Sequence, residues 1–340
     1  MEVVIPCAGL SSRFPNLRPK YLLTDYSGKM MIEGAAKNYI GRYPITITIL
    51  EEHNLKYNAK NLLKEVFGNL VRIISLPTPT SGPADTVYQT IKMAGIDRNS
   101  GLLIKDSDGF YDSEIIDGNG IYVCNLNKNP SIKNVHAKSY TITNQQQIIV
   151  SVVEKQIVSN NFCAGGYQFD NVSKFLESFE TIKNSATSEI YVSNIIDYMI
   201  SNGDVFIEQE VSNFYDVGTA PDWFEYNNRP TYFCDIDGTI VKNKHPSEEW
   251  EPIQENIDIL LKEQQRDCKL IFATARLAKW EYRTRQMLDA LGFTNYTLIM
   301  GVNHSRRVLI NDFSASNPYP TAVAINLSRD SNNLTEFITS

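Results

Sequence analysis

Six runs rich in β-branched and other apolar residues, at positions 2–6, 45–50, 71–76, 101–105, 148–154 and 205–210, recur along the first two thirds of this chain, with helical stretches between them. Parallel strands need a crossover of a dozen or more residues, usually a helix, so this alternation predicts a largely parallel, doubly wound α/β sheet. The pattern breaks at the polar, proline-ending stretch Asn227-Asn228-Arg229-Pro230 and restarts with a strand at Thr231. Two domains are therefore expected, residues 1–229 and 230–340. In the second, strands over 231–234, 269–273, 296–300 and 307–310 and helices over 252–265 and 278–291 describe another, smaller Rossmann-like α/β domain.

Composition narrows the partners. The 340 residues are 42% hydrophobic, enough for one large core and one small one. With 32 basic against 39 acidic residues the net charge is -7, which argues against nucleic acid, whose non-specific binding relies on Lys and Arg displacing counterions. Five cysteines, an odd number without a CxxC spacing, read as buried thiols of a reduced, cytoplasmic protein. No apolar run approaches the roughly 18 residues of a membrane span, and the N-terminus is a strand rather than a basic leader.

Two turns that follow apolar strands carry the chemistry. After the first strand come Ala8, Gly9, Leu10, Ser11, Ser12 and Arg13, then Pro19-Lys20. Backbone N–H groups made accessible by glycine, two hydroxyls and a guanidinium suit a polyphosphate. Further along stand Ser81-Gly82-Pro83, Lys105-Asp106-Ser107-Asp108, Glu154-Lys155, Gly165-Gly166 and Asp216-Val217-Gly218-Thr219. In this order the segments resemble the sugar nucleotidyltransferases, pyrophosphorylases that join a nucleoside triphosphate to a sugar phosphate on a GT-A-like fold. The resemblance covers about residues 1–228 and departs at Ser11, where the family has glycine. It implies that Ala8 to Arg13 hold the triphosphate, that Lys20 offsets charge on the α-phosphate, and that Gly82 admits the base. Asp106 and Asp216 would bind Mg²⁺, with Asp108 a rival to Asp106. Glu154, Lys155 and Gly166 would face the sugar phosphate. The form of the first loop resembles cytidylyltransferases and favours CTP. Lys105 and Glu154 also read as edge-strand charges.

The second turn, Asp235-Ile236-Asp237-Gly238-Thr239, is followed by Thr274-Ala275-Arg276 and Ile310-Asn311-Asp312. Together these resemble the three motifs of the haloacid dehalogenase-like phosphatases. The resemblance implies Asp235 as nucleophile, Asp237 as acid and base, Thr274 on the transferring phosphoryl group, and a second Mg²⁺ site from Asp235, Asp312 and the backbone carbonyl of Asp237. The family lysine is replaced by Arg306 or Arg307. Only 34 residues separate Thr239 from Thr274, too few for a lid domain, so shielding would come from the other domain or another subunit of a homo-oligomer. The two resemblances imply a bifunctional enzyme of activated-sugar or polyol biosynthesis, for a surface polysaccharide. The alternatives are a transferase with a regulatory phosphatase domain and a non-catalytic sugar-nucleotide binder.

Overall fold

The computed structural model describes residues 1–130, 132–184, 189–312 and 322–338. The chain divides into two compact units, residues 1–227 and 228–340. The first runs β1 (Glu2–Cys7), α1 (Met31–Ala36), β2 (Ile45–Leu50), α2 (Glu51–Tyr57), α3 (Ala59–Phe67), β3 (Val71–Leu76), α4 (Pro83–Ala94), β4 (Leu102–Lys105), β5 (Gly109–Asp112), β6 (Asn119–Asn125), β7 (Ser139–Thr143), β8 (Ile149–Glu154), β9 (Asn161–Phe169), α5 (Val172–Lys183), α6 (Val192–Ser201), β10 (Phe206–Glu210), β11 (Ser212–Asp216) and α7 (Ala220–Tyr226).

Its main sheet has the order β10-β6-β9-β4-β1-β2-β3, with β7 and β8 attached through β9. The strands β4, β1, β2 and β3 are parallel, as the strand–helix alternation predicts. The sheet as a whole is mixed, because β9 runs antiparallel between β4 and β6. That strand, Asn-Phe-Cys-Ala-Gly-Gly-Tyr-Gln-Phe, contains no β-branched residue, which is why its sequence does not announce it. Both faces of the sheet are covered. Val4 packs into one apolar cluster while its neighbours Val3 and Ile5 pack into the other. Each such fully buried aliphatic side chain contributes about 1.5–3 kcal/mol.

The second unit contains β12 (Thr231–Cys234), α8 (Gln254–Gln265), β13 (Lys269–Ala273), α9 (Glu281–Ala290) and β14 (Thr297–Ile299), the strands parallel in the order β12-β13-β14. Ile236, Ile240, Leu260, Phe272 and Leu288 form its core. The strand expected over 307–310 is not formed. Val308 and Ile310 are 70% and 93% exposed, and an apolar run becomes a strand only where a neighbour completes its hydrogen-bond ladder.

Candidate functional site

In the first unit β1 and β4 lie side by side and parallel, Val4 opposite Ile104, so the loops that follow them open on one edge of the sheet. Open α/β sheets bind ligands at such an edge. Ser11 sits at φ +52°, the left-handed region that glycine enters freely and other residues at a cost of about 1–3 kcal/mol. This accounts for glycine in the family pattern. The serine brings a compensation: its Oγ accepts the Lys20 N–H at 3.1 Å, and its carbonyl accepts the Phe14 N–H at 2.8 Å.

The acidic residues arrive from two other strand ends. Asp106 follows β4, and its N–H donates to the Gly165 carbonyl at 2.7 Å. Asp216 closes β11 opposite Gly109, and the Val217 N–H donates to the Asp108 carbonyl at 2.9 Å. Around Gly218 these groups converge. A Cβ there would stand 3.0 Å from Asp108 Oδ2, 3.1 Å from Asp216 Oδ1 and 3.4 Å from Arg13 Nη1.

A cavity of about 520 Å³ gathers the site. Ala8, Gly9, Leu10, Ser11, Arg13, Lys20, Gly82, Asp106, Asp108, Glu154, Lys155 and Asp216 line it; Ser12 and Gly166 do not. Gly166 has a packing role instead, since a Cβ there would run into the Tyr111 hydroxyl and the Tyr122 ring. Its neighbour Gly165 lines the cavity. Gly82 is packed against the opposite wall: a Cβ would lie 2.7 Å from Glu189 Cγ and 3.0 Å from the Ile190 carbonyl oxygen.

Most charges in the cavity have a partner. Lys20 Nζ is 2.5 Å from Asp108 Oδ2, and Arg13 Nη2 is 3.4 Å from the same oxygen. Burial acts to raise the Asp108 carboxyl, but Lys20 and Arg13 outweigh it and hold that carboxyl well below the usual range. Burial, with Asp108 alongside, lifts Asp106 to about 6. Lys138, which sequence reasoning missed, pairs with Asp216. Glu154 accepts hydroxyl hydrogen bonds from Ser139 at 2.6 Å and from Ser193. Lys155 donates to the Tyr191 hydroxyl at 2.8 Å.

Lys105 is not an edge charge. It is 1% exposed in a strand flanked by β9 and β1, and its ammonium donates to the carbonyls of Asp106 at 2.7 Å and Gly109 at 2.5 Å. Burial pushes it down to about 8. It ties together the turn that presents both carboxylates.

Mg²⁺ usually takes one or two carboxylates and fills its shell with phosphate and water. Asp106, which follows β4, and Asp216, which closes β11, line the cavity together with Asp108, a donor set that fits an ion held jointly with a phosphorylated ligand. Among the described residues no group of three or more His, Cys, Asp or Glu side chains is arranged to hold a metal by itself.

In the second unit Asp235 and Asp237 follow β12, and Thr274 follows the parallel β13. Arg307 Nη2 is 2.9 Å from Asp235 Oδ1, so of the two candidate arginines it is Arg307 that reaches the aspartate. Burial raises the Asp235 carboxyl, and Arg307 opposes that shift. Thr274 donates to Asp237 Oδ2 at 3.3 Å. The largest surprise is Arg276, 7% exposed, which grips Asp237 through Nε at 2.9 Å and Nη2 at 2.6 Å. Asp312 is exposed and lies outside any strand. The strand expected over 307–310, which would carry Asp312 to the sheet edge beside Asp235, is not formed.

No protein-family model matches the sequence, and no curated protein matches it either. Solved structures do share its fold. The nucleoside-diphosphate-sugar pyrophosphorylase from Vibrio cholerae RC9 is 19% identical, with a TM-score of 0.57 over 66% of this chain and 98% of that one. The inositol-1-phosphate CTP transferase from T. maritima is 14% identical, with a TM-score of 0.52 over 65% of this chain and 90% of that one. A UDP-glucose pyrophosphorylase in complex with UDP-glucose is 16% identical, with a TM-score of 0.51 over 67% and 97%. No helix among the described residues is long and apolar enough to cross a membrane. About two thirds of the chain thus has the mixed α/β fold found in sugar nucleotidyltransferase structures.

Proposed function

We propose that the first unit transfers a nucleotidyl group from a nucleoside triphosphate, with CTP favoured, to a sugar or polyol phosphate and releases pyrophosphate. The observation that carries this reading is the convergence of the loop over 8–13, Lys20 and the carboxylates of Asp106, Asp108 and Asp216 in one cavity. An acceptor phosphate oxygen forms a bond to the α-phosphorus while the bond to the bridging oxygen breaks and pyrophosphate leaves. Negative charge accumulates on oxygens already charged, and cations fixed in advance are the groups that offset it. Arg13 supplies that charge along the triphosphate, and Lys20 supplies it at the α-phosphate. Mg²⁺, when held by Asp106 and Asp216, adds Lewis-acid stabilisation of the phosphate oxygens. Glu154 and Lys155 orient the acceptor.

The second unit, in the same reading, hydrolyses a phosphomonoester. Asp235 attacks phosphorus as the phosphorus–oxygen bond of the ester breaks and Asp237 delivers the proton to the departing alcohol oxygen. Asp237 then takes a proton from water, whose oxygen bonds to phosphorus as the bond to Asp235 breaks, releasing inorganic phosphate and restoring the carboxylate. Arg307 beside Asp235 supplies charge for the phosphoryl oxygens, and Arg276 fixes the orientation of Asp237.

The test is a product screen of the four ribonucleoside triphosphates and deoxythymidine triphosphate against a panel of sugar and polyol phosphates, read by pyrophosphate release. Activity with one base and one acceptor class is expected, and silence across the whole panel refutes the transfer reading.

A further inference from the structure

We infer that Lys138 is the residue that receives the phosphate group of the acceptor in the first unit, a role that rests on the nucleotidyl-transfer reading above. Lys138 directly precedes β7, and its carbonyl accepts the Lys155 N–H at 2.9 Å. The next residue, Ser139, stands opposite Glu154 in the β7–β8 ladder. Lys138 therefore enters the cavity from the wall that carries Glu154 and Lys155, not from the loop that carries Arg13 and Lys20.

Its side chain is 18% exposed and is ion-paired with Asp216, itself 13% exposed. One carboxylate does not exhaust an ammonium, which has three donors. The remaining donors belong to a group that lines the cavity, where an anionic ligand would meet them. In-line displacement at phosphorus needs positive charge at both ends of the reacting axis. Arg13 is placed for the departing pyrophosphate, and Lys20 for the α-phosphate. Lys138, rising from the β7–β8 wall and pairing with Asp216, is placed for the incoming phosphate monoester, whose oxygen becomes the new bridge to the α-phosphorus. Lys138 moves no proton in this step; it binds and aligns the nucleophile.

The experiment compares full-length Lys138→Met, Lys138→Gln and Lys138→Arg with wild type, using the triphosphate and acceptor pair that wild type turns over and pyrophosphate release as readout. Loss of a charge-assisted contact predicts an acceptor KM raised about 10- to 100-fold in the Met and Gln variants. The triphosphate KM should stay within about twofold, and Lys138→Arg should recover most of the acceptor affinity. Lys138→Gln keeps a donor for Asp216 and decides the question if Lys138→Met does not fold. An unchanged acceptor KM, or an equal rise in both KM values, overturns the inference while leaving nucleotidyl transfer standing. A wild-type protein that releases no pyrophosphate with any pair overturns the transfer reading itself.

Discussion

Replacing Gly165 by alanine tests whether the backbone of β9 sets the position of Asp106. Gly165 has φ +81°, and an added Cβ would lie 2.8 Å from both Cβ and Oδ2 of Asp106. Holding alanine at a positive φ costs about 1–3 kcal/mol. The contact cannot persist, so Asp106, whose N–H is bound to the Gly165 carbonyl at 2.7 Å, must shift. For a unit of 227 residues that energy corresponds to a fall in Tm of roughly 2–12 °C. Misplacing a reacting-site group by about 1 Å costs on the order of 100-fold in rate. The expected result is a melting transition lowered by that amount and pyrophosphate release slowed about 100-fold, with p-nitrophenyl phosphate hydrolysis by the second unit unchanged in the same sample. A lowered Tm with a wild-type transfer rate would separate the strain from the chemistry and remove Asp106 from the site.

Other outcomes follow from the same geometry. Lys20→Ala and Asp216→Asn should each lower transfer by a hundredfold to a thousandfold, about 2.7–4 kcal/mol of transition-state stabilisation, and EDTA should stop transfer until Mg²⁺ is restored. A variant keeping more than half of wild-type transfer contradicts its assignment. Asp235→Asn should abolish phosphomonoester hydrolysis, whereas Asp237→Asn should leave a slow enzyme from which a phosphoryl adduct on the Asp235 peptide is trapped by acid quench and mass analysis; equal residual rates in the two variants refute the division of roles. All five cysteines are buried. Burial pushes Cys7 and Cys234 up to about 12 and Cys124 and Cys268 up to about 11, and holds Cys163 well above the usual thiol range. Since the thiolate is the reactive form, Ellman's reagent at pH 8 should find no fast thiol in the native protein and five after denaturation.

β2 occupies the residues predicted for it, 45–50, because a continuous β-branched and aliphatic run has no other way to bury itself, and the edge strand β3 also falls where predicted, at 71–76, with Arg72 exposed. β9 was not legible, since it carries no β-branched residue and is broken at Ala164-Gly165 by an irregularity where Gly165 stands at φ +81°, so the ladders on either side rather than propensity hold it in the sheet. The same blind spot moved attention to Gly166, whose missing side chain makes room for tyrosine rings, and away from Gly165, whose missing side chain makes room for Asp106. Lys138 and Arg276 escaped because their meaning lies in long-range partners. Lys138 finds Asp216 across 78 positions and Arg276 finds Asp237 across 39, separations that no local pattern encodes. Conversely, Val308-Leu309-Ile310 reads as a strand by propensity and has no ladder partner to make it one.

The insertion of β9 between β4 and β6 also sets an order of assembly. Both flanking strands precede it in the chain, so during synthesis each presents an open row of N–H and C=O groups until residue 169 has emerged. At roughly 5–20 residues per second that interval is a few seconds. Open strand edges are templates for pairing with the wrong chain, which makes this window the most aggregation-prone stage in the life of the first unit. A nascent chain stopped before Asn161 would keep both edges and lack the Gly165 carbonyl that binds the Asp106 N–H. Insertion of β9 and the fixing of the Asp106 backbone are one event, and β10 and Asp216 join only afterwards.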